Sequence, residues 1–192
     1  MGELKFGRGS LSIQDILSFG YLYLLMLGIA SDSIYYGMIG INIISYSNVL
    51  DVILSPIVHL TSNIQFPIII IVFPVLLFFF LKFIEGRQKK ARQTEEVKSE
   101  KSLPFRQLWM LVSAMVIFSA FFGYGLGGGA AIKAKMQNGT IKADHLLELS
   151  DRSKIKVQLI GNTSAYLFYI KEGNQVVTIA PVSDNILAIE KL

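Results

Sequence analysis

Hydropathy along the chain falls into three long apolar blocks separated by polar islands, and the blocks predict membrane helices. The first, Ile16 to Ala30, reads ILSFGYLYLLMLGIA between Asp15 and Asp32. It is shorter than the ~20 residues a helix needs to cross ~30 Å of hydrocarbon. Leu11 and Ile13 lengthen it once Asp15 sits at headgroup depth, which gives a span over about 11–31. The second, Ile64 to Leu81, carries no charge and predicts a span over 64–82, kinked at Pro74. The third starts at Leu108, with Trp109 at an interfacial position, and predicts a span over 107–130 that ends among glycines.

Two other patterns interrupt the blocks. From Ser47 to Leu60, apolar residues recur at Val49, Leu50, Ile53, Leu54, Ile57 and Leu60. Ser47, Asp51, Ser55 and His59 recur every fourth position on the opposite stripe. This is the period of an amphipathic helix with a bend at Pro56, and such a helix lies flat in the interface or caps the bundle. The segment 33–62 is therefore read as an outer amphipathic segment. Making 33–50 a fourth span leaves only Ser31 and Asp32 for the turn, so three spans are preferred. After Ile132 the period changes again: IKVQLI, AYLFYI, VVTIA and ILAIE alternate with turn sequences. They predict a four-stranded antiparallel meander over Ile155 to Glu190, introduced by a short element at His145 to Leu149. A domain this small supplies little core of its own, so it should lean on the helices, a second copy or a partner. The fold class is α+β: about three transmembrane helices over 1–132, then a small β-rich domain over 133–192.

Composition agrees. Only 17% of residues are charged against 52% hydrophobic, and mean hydropathy is +0.51, where a soluble domain carries about 25% charge. No Lys or Arg occurs between Arg8 and Lys82, whereas the loop over 83–106 is rich in both charge signs. By the positive-inside rule this loop and the N-terminus are cytoplasmic, and three spans leave 133–192 exported. The net charge of +4 is explained by bases flanking apolar runs, which suit lipid headgroups and not nucleic acid. The first block also fits a cleaved signal, but its length favours a retained anchor.

Candidate chemistry is thin. Gly123, Gly125 and Gly128 spell a dinucleotide fingerprint, but they close an apolar helix with no strand before it. Their spacing instead allows close helix packing, along Ser119, Gly123 and Gly127 on one face and Gly125 and Gly129 on another. Asp51, Ser55 and His59 include the residue types of a hydrolase triad, yet on one helix they form a line and not a convergent site. Asp15, Asp32 and Asp51 read as helix-end acids, and the sequons at Asn138 and Asn162 as turns. No cysteine and two histidines leave no metal centre, and no cofactor is implied. The segment Gly20 to Ile57, with LIGNTSAYLFYI near the end, resembles a loose family of small bacterial membrane proteins. The resemblance implies the same layout and a bacterial inner membrane, and brings no activity with it. The expectation is a non-enzymatic membrane protein that meets the lipid bilayer and either a protein partner or itself. An oligomeric transporter or channel subunit is the alternative.

Overall fold

The computed structural model describes residues 4–6, 9–62, 64–92, 105–183 and 185–192. Half of the charged loop, residues 93–104, lies outside the described residues. In chain order the elements are β1 (Leu4–Phe6), β2 (Gly9–Leu11), α1 (Ile13–Met38), a 3-10 turn (Ile43–Tyr46), α2 (Val49–Ser62), α3 (Gln65–Arg92) and α4 (Phe105–Gln137). Five strands follow: β3 (His145–Leu149), β4 (Lys154–Asn162), β5 (Tyr166–Lys171), β6 (Val177–Pro181) and β7 (Ile186–Lys191). The protein is thus α+β, with four helices and a C-terminal antiparallel sheet. Helices α1 and α4 are long and apolar enough to cross a membrane. A third span is reached if α2 and α3, joined through a sharp bend, count as one.

Two compact units form, one from Met1–Gly20 and Ile57–Ala120, the other from Tyr21–Pro56 and Phe121–Leu192. In the first, α3 and the N-terminal part of α4 meet through Phe78 and Trp109, whose rings stack edge to face at 5.8 Å. A groove of about 400 Å³ separates them, lined by Ile69, Phe73, Val112, Met115 and Ser119 among others. Large apolar side chains elsewhere on these helices, such as Ile71, Phe79, Phe80 and Leu111, stay exposed.

In the second unit, the C-terminal parts of α1 and α4 lie against each other and run in the same direction. Gly125 meets Ser31, Gly128 meets Tyr35, and Gly129 meets Tyr35 and Met38. Helix α1 continues past Ala30 to Met38, further than the apolar block predicts. Asp32 and its neighbouring serines are polar, but a helix is held by its own backbone bonds, and Ser31 is fully buried in the seam. Both helices end on a left-handed glycine, Gly40 at φ +82° and Gly139 at φ +64°. The amide of Ile41 bonds back to the Tyr36 carbonyl, and that of Thr140 to the Lys135 carbonyl. These are Schellman closures, which any residue with a Cβ would strain.

The sheet differs from the expected meander. It has five strands in the order β6-β5-β4-β3-β7. The short element at His145–Leu149 is strand β3, paired on one side with β4 and on the other with β7. Strands β6 and β7, consecutive in sequence, therefore lie at opposite edges. A flat sheet of this order sets its edges about 19 Å apart, while the chain from Pro181 to Ile186 reaches only about 17 Å fully extended. The sheet must curl. Leu147, Val157, Leu167 and Tyr169 fill the inside of the curl, with Ala180, Val182 and Ile186 packed on them from the two edges. The outer face, through Ile160, Phe168 and Ile170, packs on Tyr36, Ile41 and Ile43 at the end of α1, with Ile132 and Met136 of α4 beside them. The small sheet leans on the helix ends, as its size requires.

Candidate functional site

The residues singled out by pattern are scattered, and one of them organises the second unit. Asp51 opens α2 as half of a reciprocal cap. Its Oδ2 accepts from the Asn48 amide at 2.9 Å, and the Asn48 Oδ1 accepts from the Asp51 amide at 2.8 Å. This satisfies first-turn donors that a helix leaves open. The same carboxylate takes the tip of the β4–β5 turn. Ser164 donates its amide to Oδ1 at 3.0 Å and its hydroxyl to Oδ2 at 3.1 Å, and its Oγ accepts from the Asn48 Nδ2 at 2.9 Å. The turn is closed from behind by Thr163, whose amide donates to the Tyr166 carbonyl at 2.8 Å and whose hydroxyl accepts from the Tyr166 amide at 3.0 Å. Asn48, Asp51 and Ser164 form a clasp between a helix start and a sheet turn.

The other members of the polar stripe do different work. The Ser47 hydroxyl donates to the Ile43 carbonyl at 3.0 Å and closes the 3-10 turn. Ser55 and His59 are half-buried further along α2. Both oxygens of Asp51 are engaged by Asn48 and Ser164, and Asp51, Ser55 and His59 follow one another along a single helix. Among the described residues no group of three His, Cys, Asp or Glu gathers around a point.

Within the second unit, α4 meets α1 along one of its two small-residue faces. At Gly123 and Gly127 an added Cβ would meet nothing within 4 Å, and the Ser119 hydroxyl bonds to its own helix at the Met115 carbonyl. At Gly125 that Cβ would lie 2.5 Å from the Ser31 carbonyl oxygen, and at Gly129 2.6 Å from that of Tyr35. Gly28 likewise abuts the Val52 carbonyl, which brings α2 against α1. The seam within this unit is thus Gly28, Gly125, Gly128 and Gly129, while Ser119, Gly123 and Gly127 are not part of it.

Above the seam sits a nest of aromatic rings. Tyr36 packs on Tyr35 and Phe168 with centroids 5.0 and 5.1 Å apart, and Tyr46 packs on Tyr166 and Phe168 at 5.3 and 5.9 Å. The Tyr36 hydroxyl reaches Gly161 so closely that no side chain fits there. Tyr35 donates a long bond, 3.4 Å, to the Ile160 carbonyl. Pairing shifts by one residue between Leu159 and Gly161, and this bulge is what brings Gly161 under the ring. Across the sheet, Asp144 bonds the His145 Nδ1 at 2.7 Å and accepts the Leu159 amide at 2.8 Å. That arrangement fixes the entry to β3 and carries no nucleophile.

Beside the helix ends is an open hollow of about 400 Å³, bounded by Gly37 to Gly40 of the α1 cap, by Lys133, Met136 and Gln137 of α4, and by Gln175 of the β5–β6 turn. It combines a cation and two amides with an apolar floor.

The polar stripe marks Asp51, and Asn162-Thr163-Ser164 marks a turn, but neither pattern joins the two. The one local signal for Asn48 is the Asn-x-x-Asp spacing before an apolar run, which marks a capped helix start. Gly161 reads as a turn glycine, and nothing local points to its place in a bulge under Tyr36 or to the hollow. No family model, curated protein or solved structure matches this chain.

Proposed function

We propose that this chain is a membrane-anchored, non-enzymatic binding protein that holds a small curled sheet at the outer surface of a bacterial inner membrane. The observation that carries the reading is the parallel seam of α1 and α4, with the sheet fastened to their shared C-terminal end. Two parallel crossings need an odd number of crossings between them, and α3, preceded by α2, supplies the return. The chain start and the basic loop then share one side, which the positive-inside rule makes cytoplasmic. The sheet takes the other side. Exposed side chains such as Leu17, Phe19, Ile71, Phe80, Leu111 and Met115 would be a large apolar liability in water and suit lipid.

The sheet, the clasp and the aromatic nest belong to one compact unit, a form suited to binding a partner or envelope component. A sensor, assembly, defence or immunity accessory role fits this reading. Reporter fusions after Thr94 and after Leu192 test the topology. A fluorescent cytosolic reporter at the first and an active alkaline phosphatase at the second are expected. A fluorescent C-terminal fusion would overturn the exported sheet.

A second reading, an oligomeric transporter or channel subunit, is favoured by one observation. Asp32 lies ~9 Å inside the end of α1, between Ser31 and Ser33, whose buried hydroxyls find no hydrogen-bond partner among the described residues. Intramembrane acids beside polar groups mark ion paths. Ion flux in proteoliposomes that disappears in Asp32→Asn would support this reading, and an unchanged leak would end it.

A further inference from the structure

We infer that the hollow at the capped ends of α1 and α4 binds a phosphate ester carrying an amine, supplied by the headgroup of a zwitterionic phospholipid of the phosphatidylethanolamine type. The inference rests on the membrane reading above and names the ligand of one place in it.

The shape comes from two glycines. Gly37 and Gly40 contribute only backbone to the wall, and a Cβ at either would meet nothing within 4 Å. The space around them is open, and a side chain at Gly37 would stand at the wall of the hollow. Its volume, about 400 Å³, is in the range of small-molecule sites, roughly 300–1,000 Å³. On the facing helix Lys133, Met136 and Gln137 stand at i, i+3 and i+4, so one stripe of α4 presents a cation, a thioether and an amide together. Gln175 closes the rim, with its Nε2 turned towards Gly139.

The chemistry has two signs. Lys133 has no salt-bridge partner among the described residues, and no acidic residue lines the hollow. A lysine ammonium with amide donors beside it is a phosphate contact. The opposite wall is the C-terminal end of α1, where the helix dipole is negative. The Ile39 and Ile41 amides both go to the Tyr36 carbonyl and the Gly40 amide to that of Gly37. No backbone amide among the described residues caps the Met38 carbonyl, so this end retains acceptors for an ammonium group. A ligand with phosphate and amine a few bonds apart satisfies both walls. Met38, Ile39 and Met136 supply the apolar floor, and the hollow opens at the end of two apolar helices, where a headgroup emerges from its acyl chains.

The full chain, purified in detergent, would be titrated with defined lipids and bound lipid counted by native mass spectrometry. Phosphatidylethanolamine is expected to be retained about tenfold more than phosphatidylglycerol, which lacks the amine. Lys133→Gln should lower its occupancy about tenfold, a change of ~1.4 kcal/mol. Gly37→Leu should abolish retention by filling the hollow, while Gly20→Leu, also in open space on α1, leaves it intact. Both variants would be checked for an unchanged melting temperature. Equal retention of the two lipids, or retention indifferent to both Lys133→Gln and Gly37→Leu, overturns the inference. So does calorimetric binding of soluble phosphoethanolamine as tight as that of the lipid, since the source would then be aqueous. A topology result that removes the sheet from the outer surface defeats the membrane reading itself. Correct topology without lipid selectivity defeats only this site.

Discussion

Asp51 accepts two hydrogen bonds from Ser164, a residue 113 positions further along the chain, with the same carboxylate that caps its own helix. One side chain thereby ties the start of α2 to the tip of the β4–β5 turn. Each contribution is modest: the cap is worth ~1 kcal/mol, and a bond to a charged group ~1.5–3 kcal/mol.

Asp51→Ala is therefore expected to destabilise the protein by about 2 kcal/mol, less than the sum because the site is partly exposed. Ser164→Ala should cost about 1 kcal/mol. The two losses should not add, since each removes the same contact. A double-mutant cycle of thermal unfolding in detergent would read the coupling. Strict additivity would mean the clasp contributes nothing.

The glycine seam makes a prediction that separates two stripes of one helix. Gly125→Ala places a methyl group against the Ser31 carbonyl, with backbone on both sides and no room to yield. It should cost about 1–3 kcal/mol, as overpacking does. Gly123→Ala faces open space and should be neutral or slightly stabilising, because alanine is the better helix former. Melting temperatures of the two variants, prepared side by side, decide the matter. If Gly123→Ala is the more damaging, the seam runs along the other face.

Much of the helical architecture is legible in hydropathy, because an apolar run long enough to span a bilayer has few other uses. The end of α1 is not. Ser31, Asp32 and Ser33 look like a helix boundary, and only the approach of Gly125 explains why polar residues continue the helix. The two glycine stripes of α4 are equally good by spacing, and tertiary packing alone decides which of them meets α1. The sheet shows a similar division. Its strands follow from alternation and turns, but the insertion of β3 between β4 and β7 depends on pairing across more than thirty residues. The partner of Asp51 is further still, so a stripe that looks uniform on a helical wheel holds one residue with a long-range role and others without.

Gly161 and Tyr36 offer a rescue experiment. Gly161→Ala would drive a methyl group into the Tyr36 hydroxyl, between the bulge of β4 and a ring that is itself buried against Phe168. A loss of about 1–3 kcal/mol is expected. Tyr36→Phe removes the oxygen that clashes and keeps the ring stacking. The double variant should regain most of what Gly161→Ala loses. Near-UV circular dichroism and thermal unfolding would follow both. If Tyr36→Phe fails to rescue, the close approach is not what excludes a side chain at 161.

Alkaline pH gives the last test, through the inside of the curled sheet. Tyr169 is 4% exposed, against Leu147, Val157 and Leu167, and burial pushes its phenol above the ordinary value of 10.0. The sign follows from linkage. The folded state holds its proton more tightly than the unfolded state, so the stabilisation is complete below pH 10 and is lost as pH rises through the folded value. Unfolding midpoints in denaturant should therefore be flat from neutrality to about pH 9.5 and fall steeply above pH 10. Tyr169→Phe has no proton to lose and keeps the ring in place. Its alkaline decline should be shallower than that of the parent, while the two agree at pH 7 to within about 1 kcal/mol. Parallel declines would mean that the phenol of Tyr169 reaches water, and that the sheet does not close over it.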